Sequence, residues 1–155
     1  DMGRPRKLAD KIDGHLSAAD KEERRATEKN MEDLVDIDLT PPDWLDPVAK
    51  DEYKRIVPLL KELPIKALDH GMVVAYCIAY SDLVRSTEEL KNGPDVIETA
   101  HGTKINQYHT IRRNAIDKIN SITPKLGMTV DARLKIFVPK PEEKSDPFKE
   151  LMEDG

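Results

Sequence analysis

The longest coherent pattern of apolar and polar positions runs over residues 67–92. Its apolar residues, Leu68, Met72, Val73, Tyr76, Ile78, Ala79, Tyr80, Leu83, Val84 and Leu90, recur three or four apart. That spacing predicts a helix with one broad apolar face. From Met72 to Tyr80 the helix is apolar nearly all round, so it needs cover on most sides, from other helices of the chain or from neighbouring subunits. Asn92-Gly93-Pro94 ends it, a left-handed exit followed by a residue that cannot continue a helix.

Upstream, Asp46 as N-cap and Pro47 at the first helical position predict a helix over 47–63. Tyr53, Ile56, Val57, Leu60 and Leu63 face inward, Pro58 kinks it, and Trp44 and Leu45 fold back on its first turns. Leu63-Pro64-Ile65 leaves only a short connection, which implies an antiparallel helical hairpin. After Pro94, β-branched residues flank Ala100-His101-Gly102, the pattern of a small β-hairpin or extended loop near 95–105. Two strands alone are marginal, so this element needs a neighbour.

A third long helix is predicted over 107–126, with Tyr108, Ile111, Ala115, Ile119, Ile122 and Leu126 inward. Arg112, Arg113 and Lys118 lie on its solvent side, and Pro124 distorts its end. Thr129 caps a short helix to Phe137, with Leu134 inward. Near the start, residues 17–34 form a charged helix capped by Ser17, with a thin apolar stripe. The fold class is all-α: a helical hairpin, a third long helix and a small β-element.

Composition divides the 155 residues. Residues 1–40 are an arm, a charged helix and an acidic linker; 41–138 are the helical core; 139–155 are a proline- and acid-rich tail expected to be mostly disordered. Net charge is −5, so nucleic-acid contact must come from local clusters. One is Gly3-Arg4-Pro5-Arg6-Lys7, a short basic arm with minor-groove spacing or, alternatively, a solvated tail. Another spans 104–135, where seven bases face two acids. Lys104, Arg112 and Arg113 are its candidate DNA contacts, with Arg24 and Arg25 behind them, unless these are plain solvated faces.

The acids of 32–46 number six with no base, but lack a histidine partner for a metal site. The lone Cys77 reads as a small buried hydrophobe, and the four histidines show no paired ligand spacing. No apolar run is long enough to span a bilayer and no signal peptide is visible, so a soluble cytoplasmic protein is expected. No phosphate loop or catalytic constellation is present. The chain therefore reads as a binding protein without a cofactor. In the tail, Asp146-Pro147 can start a short helix presenting Phe148, Leu151 and Met152 to a partner's groove, or the segment is simply frayed.

Four ordered motifs carry a family resemblance: Pro41-Pro42-Asp43-Trp44-Leu45 with Ala49 and Tyr53; Ala75-Tyr76-Cys77 with Tyr80; Gly102 leading to Asn106 and Arg112-Arg113; and Leu126-Gly127-Met128-Thr129 with Ala132-Arg133. Together they resemble the small terminase subunits of tailed bacteriophages. Tyr53 stands where tryptophan is frequent, and Gln107 where proline is. The resemblance implies a non-enzymatic homo-oligomeric ring in the infected host's cytoplasm. It would bind the packaging site on double-stranded DNA and present it to a large subunit carrying the ATPase and nuclease. The competing reading is a helical adaptor or scaffold that binds only protein. A metal-dependent enzyme using the acids of 33–46 is the third.

Overall fold

The structure is a computed structural model that describes residues 17–137. Helix α1 (Ala18–Glu32) starts at a capping box: Ser17 Oγ accepts from the Asp20 N–H, and the Asp20 carboxylate accepts from the Ser17 N–H. It buries none of its residues. Its charged sequence stabilises the helix locally, without an apolar stripe to press on the core.

The next stretch is acidic, yet it is anchored. Ile37 is buried in the core, the Ala67 N–H donates to the Val35 carbonyl at 2.8 Å, and Lys66 pairs with Asp36 at 2.8 Å. The Tyr53 hydroxyl donates to the Asp38 carbonyl at 2.7 Å. Three of the acids weighed as metal ligands thus serve as pairing, turn and capping groups. Asp36 meets Lys66, Asp38 accepts from the Thr40 N–H, and Asp46 caps the following helix.

That helix, α2 (Pro47–Leu60), begins as predicted. Asp46 Oδ1 accepts from the Val48 and Ala49 N–H groups, and also from the Ser81 hydroxyl of the facing helix at 2.7 Å. Its inward stripe is Ala49, Glu52, Tyr53, Ile56, Val57 and Leu60. Leu45 folds onto the core, but Trp44 does not: it is 70% exposed. Pro58 is accommodated inside the last turn, where the helix runs two residues further.

A 3₁₀ turn (Ala67–Asp69) leads into α3 (His70–Asn92), which packs against α2 on one side and α4 (Tyr108–Ile122) on another. Val73, Val74, Tyr76 and Cys77 close the main core with α2, Ile65 and Leu126. Two strands, β1 (Val96–Thr99) and β2 (Gly102–Ile105), form an antiparallel ribbon with Val96 opposite Ile105 and Ile97 opposite Lys104. Every residue of the ribbon is exposed.

Helix α4 keeps its predicted phase at every inward position but one. Its packing stripe is Tyr108, Arg112, Ala115, Ile119 and Ile122, while Ile111 is exposed. Ile111 and Arg112 both lie three or four residues from Tyr108 and Ala115, so periodicity alone does not choose between them. The helix also stops at Ile122, ahead of Pro124, and Leu126 reaches the core from the turn beyond. Gly127 makes that turn at φ +72°, and a Cβ there would lie 3.0 Å from a Leu63 methyl carbon. Finally α5 (Val130–Phe137) starts at Thr129, whose hydroxyl accepts from the Ala132 N–H. Leu134, expected inside, is exposed, and Ile136 lies by Gly127 instead.

Candidate nucleic-acid interface and oligomer surface

The junction of ribbon and α4 is built on one carboxamide. Asn106 is buried, its backbone N–H donates to the Asp95 carbonyl at 2.8 Å, and its Nδ2 donates to the Pro94 carbonyl at 2.9 Å. Its Oδ1 accepts from the Tyr108 N–H at 3.1 Å, capping α4. One side chain therefore closes the base of the ribbon and starts the helix. A second tie runs from Asp95 Oδ1 to His109 Nε2 at 2.9 Å, and from His109 Nδ1 to Arg112 Nη2 at 3.4 Å. With its proton on Nε2, the imidazole donates to Asp95 and accepts from Arg112.

Three predicted DNA contacts flank this junction along the chain. Lys104 is exposed on β2, two residues before Asn106; Arg113 is exposed on α4; Arg112 is half-buried and bonded to His109. The sequence pattern puts Arg112 on the solvent face. In the structure it fills the position expected of Ile111 and keeps only part of its guanidinium accessible. Arg24 and Arg25 sit on α1, apart from this junction in sequence and element. Arg4, Arg6 and Lys7, like Phe148, Leu151 and Met152, lie outside the described residues.

The second surface is on α3. Gly71, Met72, Ala75 and Ile78 are accessible along the helix, and Leu68, in the 3₁₀ turn before it, is 89% exposed. The stripe continues as Arg85, ion-paired to Asp82, and the acids Glu88 and Glu89. So α2 and α4 cover only part of the helix, and a run of apolar residues remains on its N-terminal half. Monomeric proteins seldom expose a contiguous apolar strip of this kind without a use for it.

Beneath that stripe lies a buried polar cluster that periodicity passes over. Glu52, 3% exposed, accepts from the Tyr76 hydroxyl at 2.9 Å and from Arg55 Nη2 and Nε at 2.6 and 2.8 Å. Burial, then the hydrogen bond to Glu52, pushes the Tyr76 phenol well above its usual range, and the bond to Glu52 raises Arg55 too. The Cys77 thiol is pushed up to about 12 by burial and by the Glu52 charge. These groups are held in one protonation state across neutral pH, which makes them structural rather than acid–base reagents. The signal is present in the sequence. Glu52 falls on the same three-to-four stripe as Ala49, Tyr53 and Ile56.

Among the described residues, no group of three or more His, Cys, Asp or Glu side chains could hold a metal ion. No helix among them is long and apolar enough to cross a membrane. The described residues thus form a mostly helical fold with an accessible apolar stripe on α3 and a small ribbon joined to α4. The family model described as phage terminase, small subunit, matches residues 49–143, well over half of the chain and all of α3 to α5. The chain belongs to that family, which implies a role in phage genome packaging. No curated protein and no solved structure matches it.

Proposed function

We propose that this chain is the non-catalytic DNA-recognition and regulatory subunit of a viral packaging motor, acting in the cytoplasm of the infected host. Copies assemble through the exposed α3 stripe into a ring. They bind double-stranded DNA at the packaging site and pass it to the large terminase subunit, which carries the ATPase and nuclease. The observation that carries this reading is the Leu68–Met72–Ile78 run, left open on a helix otherwise covered by α2 and α4. A neighbouring copy is the cover the family role calls for.

Lys104, Arg112 and Arg113 are assigned as the DNA-contacting corner, extended by Arg4, Arg6 and Lys7 of the arm, with Arg24 and Arg25 secondary. Repetition of the corner around a ring gives a net-acidic chain a basic track. The tail beyond residue 138, through Phe148, Leu151 and Met152, is assigned to the large subunit. Native mass and an electrophoretic shift with duplex DNA test the reading together. A multimer that shifts DNA less as salt rises supports it. A monomer, or a multimer with no shift at any salt, overturns it, the latter in favour of a protein-only adaptor.

A further inference from the structure

A groove of about 370 Å³ opens between the end of α2, the Gly127–Met128 turn and one side of α5. One wall is Ile56, Leu59 and Leu60, continued by Leu63; the other is Met128 and Phe137. Its lining is mainly apolar and only partly covered: Leu59 is 56% exposed, and Leu63 and Met128 are half-buried. Each wall carries an arginine, Arg55 on the first and Arg133 on the second, and Glu62 adds one carboxylate to the lining, which leaves the cations in excess. Arg55 is held at a fixed height by its paired bonds to buried Glu52, yet its side chain remains 58% exposed. A guanidinium has five N–H donors, and Glu52 occupies two. Arg133 donates from Nη1 to the Gly127 carbonyl at 3.3 Å.

An apolar trough with a cation on each wall suits a short segment that alternates large apolar side chains with carboxylates. Such a segment follows in the same chain. Residues 146–155 contain Phe148, Leu151 and Met152 among Asp146, Glu150, Glu153 and Asp154, with Lys149 the only base. Phe137 itself lines the groove, and Phe148 is eleven residues further on. That tether spans about 36 Å when extended, ample for a return to the groove. A tether this short also supplies an effective concentration of about a millimolar, so a weak contact suffices.

We propose that the groove between α2 and α5 receives the chain's own residues 146–155, with Phe148, Leu151 and Met152 on its apolar walls and the flanking carboxylates at Arg55 and Arg133. Docked this way, the segment is withheld from the large subunit until a tighter site draws it off. That consequence rests on the functional reading above; the docking itself does not.

The test uses the full chain with Leu59→p-benzoylphenylalanine, and separately the same photolabel at exposed Glu62. Irradiation is expected to crosslink the label to a peptide within 144–155. Changing Phe148, Leu151 and Met152 together to Ser is expected to lower the yield about tenfold or more, because serine offers the trough no large apolar surface to bury. Isotopically heavy and light chains, mixed in denaturant and refolded, are expected to give crosslinks within one chain only. Crosslinks from both labels to any other segment, no crosslink from either, or heavy–light hybrids each overturn the assignment. Native mass and DNA shift measured on the same samples report separately on the packaging role.

Discussion

The Tyr76 hydroxyl on α3 donates to Glu52 Oε1 on α2 at 2.9 Å, in the interior of the helical hairpin. The two helices are therefore joined by a charge-assisted bond as well as by apolar packing. Among the described residues no buried side-chain nitrogen or oxygen lacks a partner, so the carboxylate is fully satisfied. Tyr76→Phe removes one bond to an ion in a dry site, at a cost of about 1–3 kcal/mol. Urea unfolding should show a lower midpoint with an unchanged slope. Arg55→Met should cost more than Tyr76→Phe, because it leaves the buried charge with a single neutral donor.

Cys77 provides a probe of the same region. Its thiol is buried and pushed up to about 12. In the native protein at pH 8 it should resist a thiol reagent and react only through opening. Because the folded pKa is raised, the thiol favours the native state below its unfolded value of about 8.5, and that preference declines as pH climbs above it. Tyr76→Phe should raise the labelling rate in proportion to its loss of stability. Fast labelling of the unaltered protein would contradict the burial.

Asp46 sets an acid limit. Burial alone would raise its pKa, but the Ser81 hydroxyl, the Ala49 N–H, Arg85 and the Val48 N–H together hold it below the ordinary value. A depressed folded pKa means the contribution is complete above the unfolded value, about 3.9, and is lost as pH falls through the folded one. Asp36 is lowered too, first by its hydrogen bond from Lys66. Asp46→Ala should cost about 1–2 kcal/mol at neutral pH through loss of the cap. Its stability should also fall less steeply than that of the unaltered protein below about pH 4.

DNA contact at the ribbon–helix corner predicts a salt signature. Lys104→Ala with Arg113→Ala should weaken duplex binding and reduce the log–log salt slope by about 0.9 for each phosphate contact removed. Both side chains are exposed, so thermal stability should hold. Arg112→Ala should lower stability as well, since Arg112 stands in the packing stripe of α4. Binding by the double variant with an unaltered salt slope would remove this corner from the interface.

Assembly through α3 predicts that Ile78→Asp yields smaller particles by native mass with helicity retained, because Ile78 already touches solvent in the protomer. Conversely, Val74→Asp, at a buried neighbour, should unfold the chain.

How far the sequence discloses this architecture depends on whether the signal is local. Asp46-Pro47, Ser17 with Asp20, and Asn92-Gly93-Pro94 each mark a helix boundary where expected, although Gly93 leaves α3 with an extended backbone (φ −119°, ψ 164°) and not by the left-handed exit predicted for it. Registers that rest on distant partners are less readable. Ile111 and Arg112 satisfy the same spacing, and the tie from Arg112 through His109 to Asp95 is not something periodicity can select. Glu52 looks like an interruption in an apolar face because Arg55, one turn along α2, is its only local partner, and Tyr76 reaches it only once α2 and α3 are side by side. Trp44 is expected to pack by virtue of size, yet Leu45 alone occupies the space beneath α2. The cationic residues are visible as composition; the bonds from Asn106 that join the base of the ribbon to α4 appear only in the fold.

With both ends of its amide committed, Asn106 leaves the ribbon no hinge of its own. The base of the two strands and the first turn of α4 therefore share one anchor, so a change in the ribbon's tilt is expected to reach the start of α4.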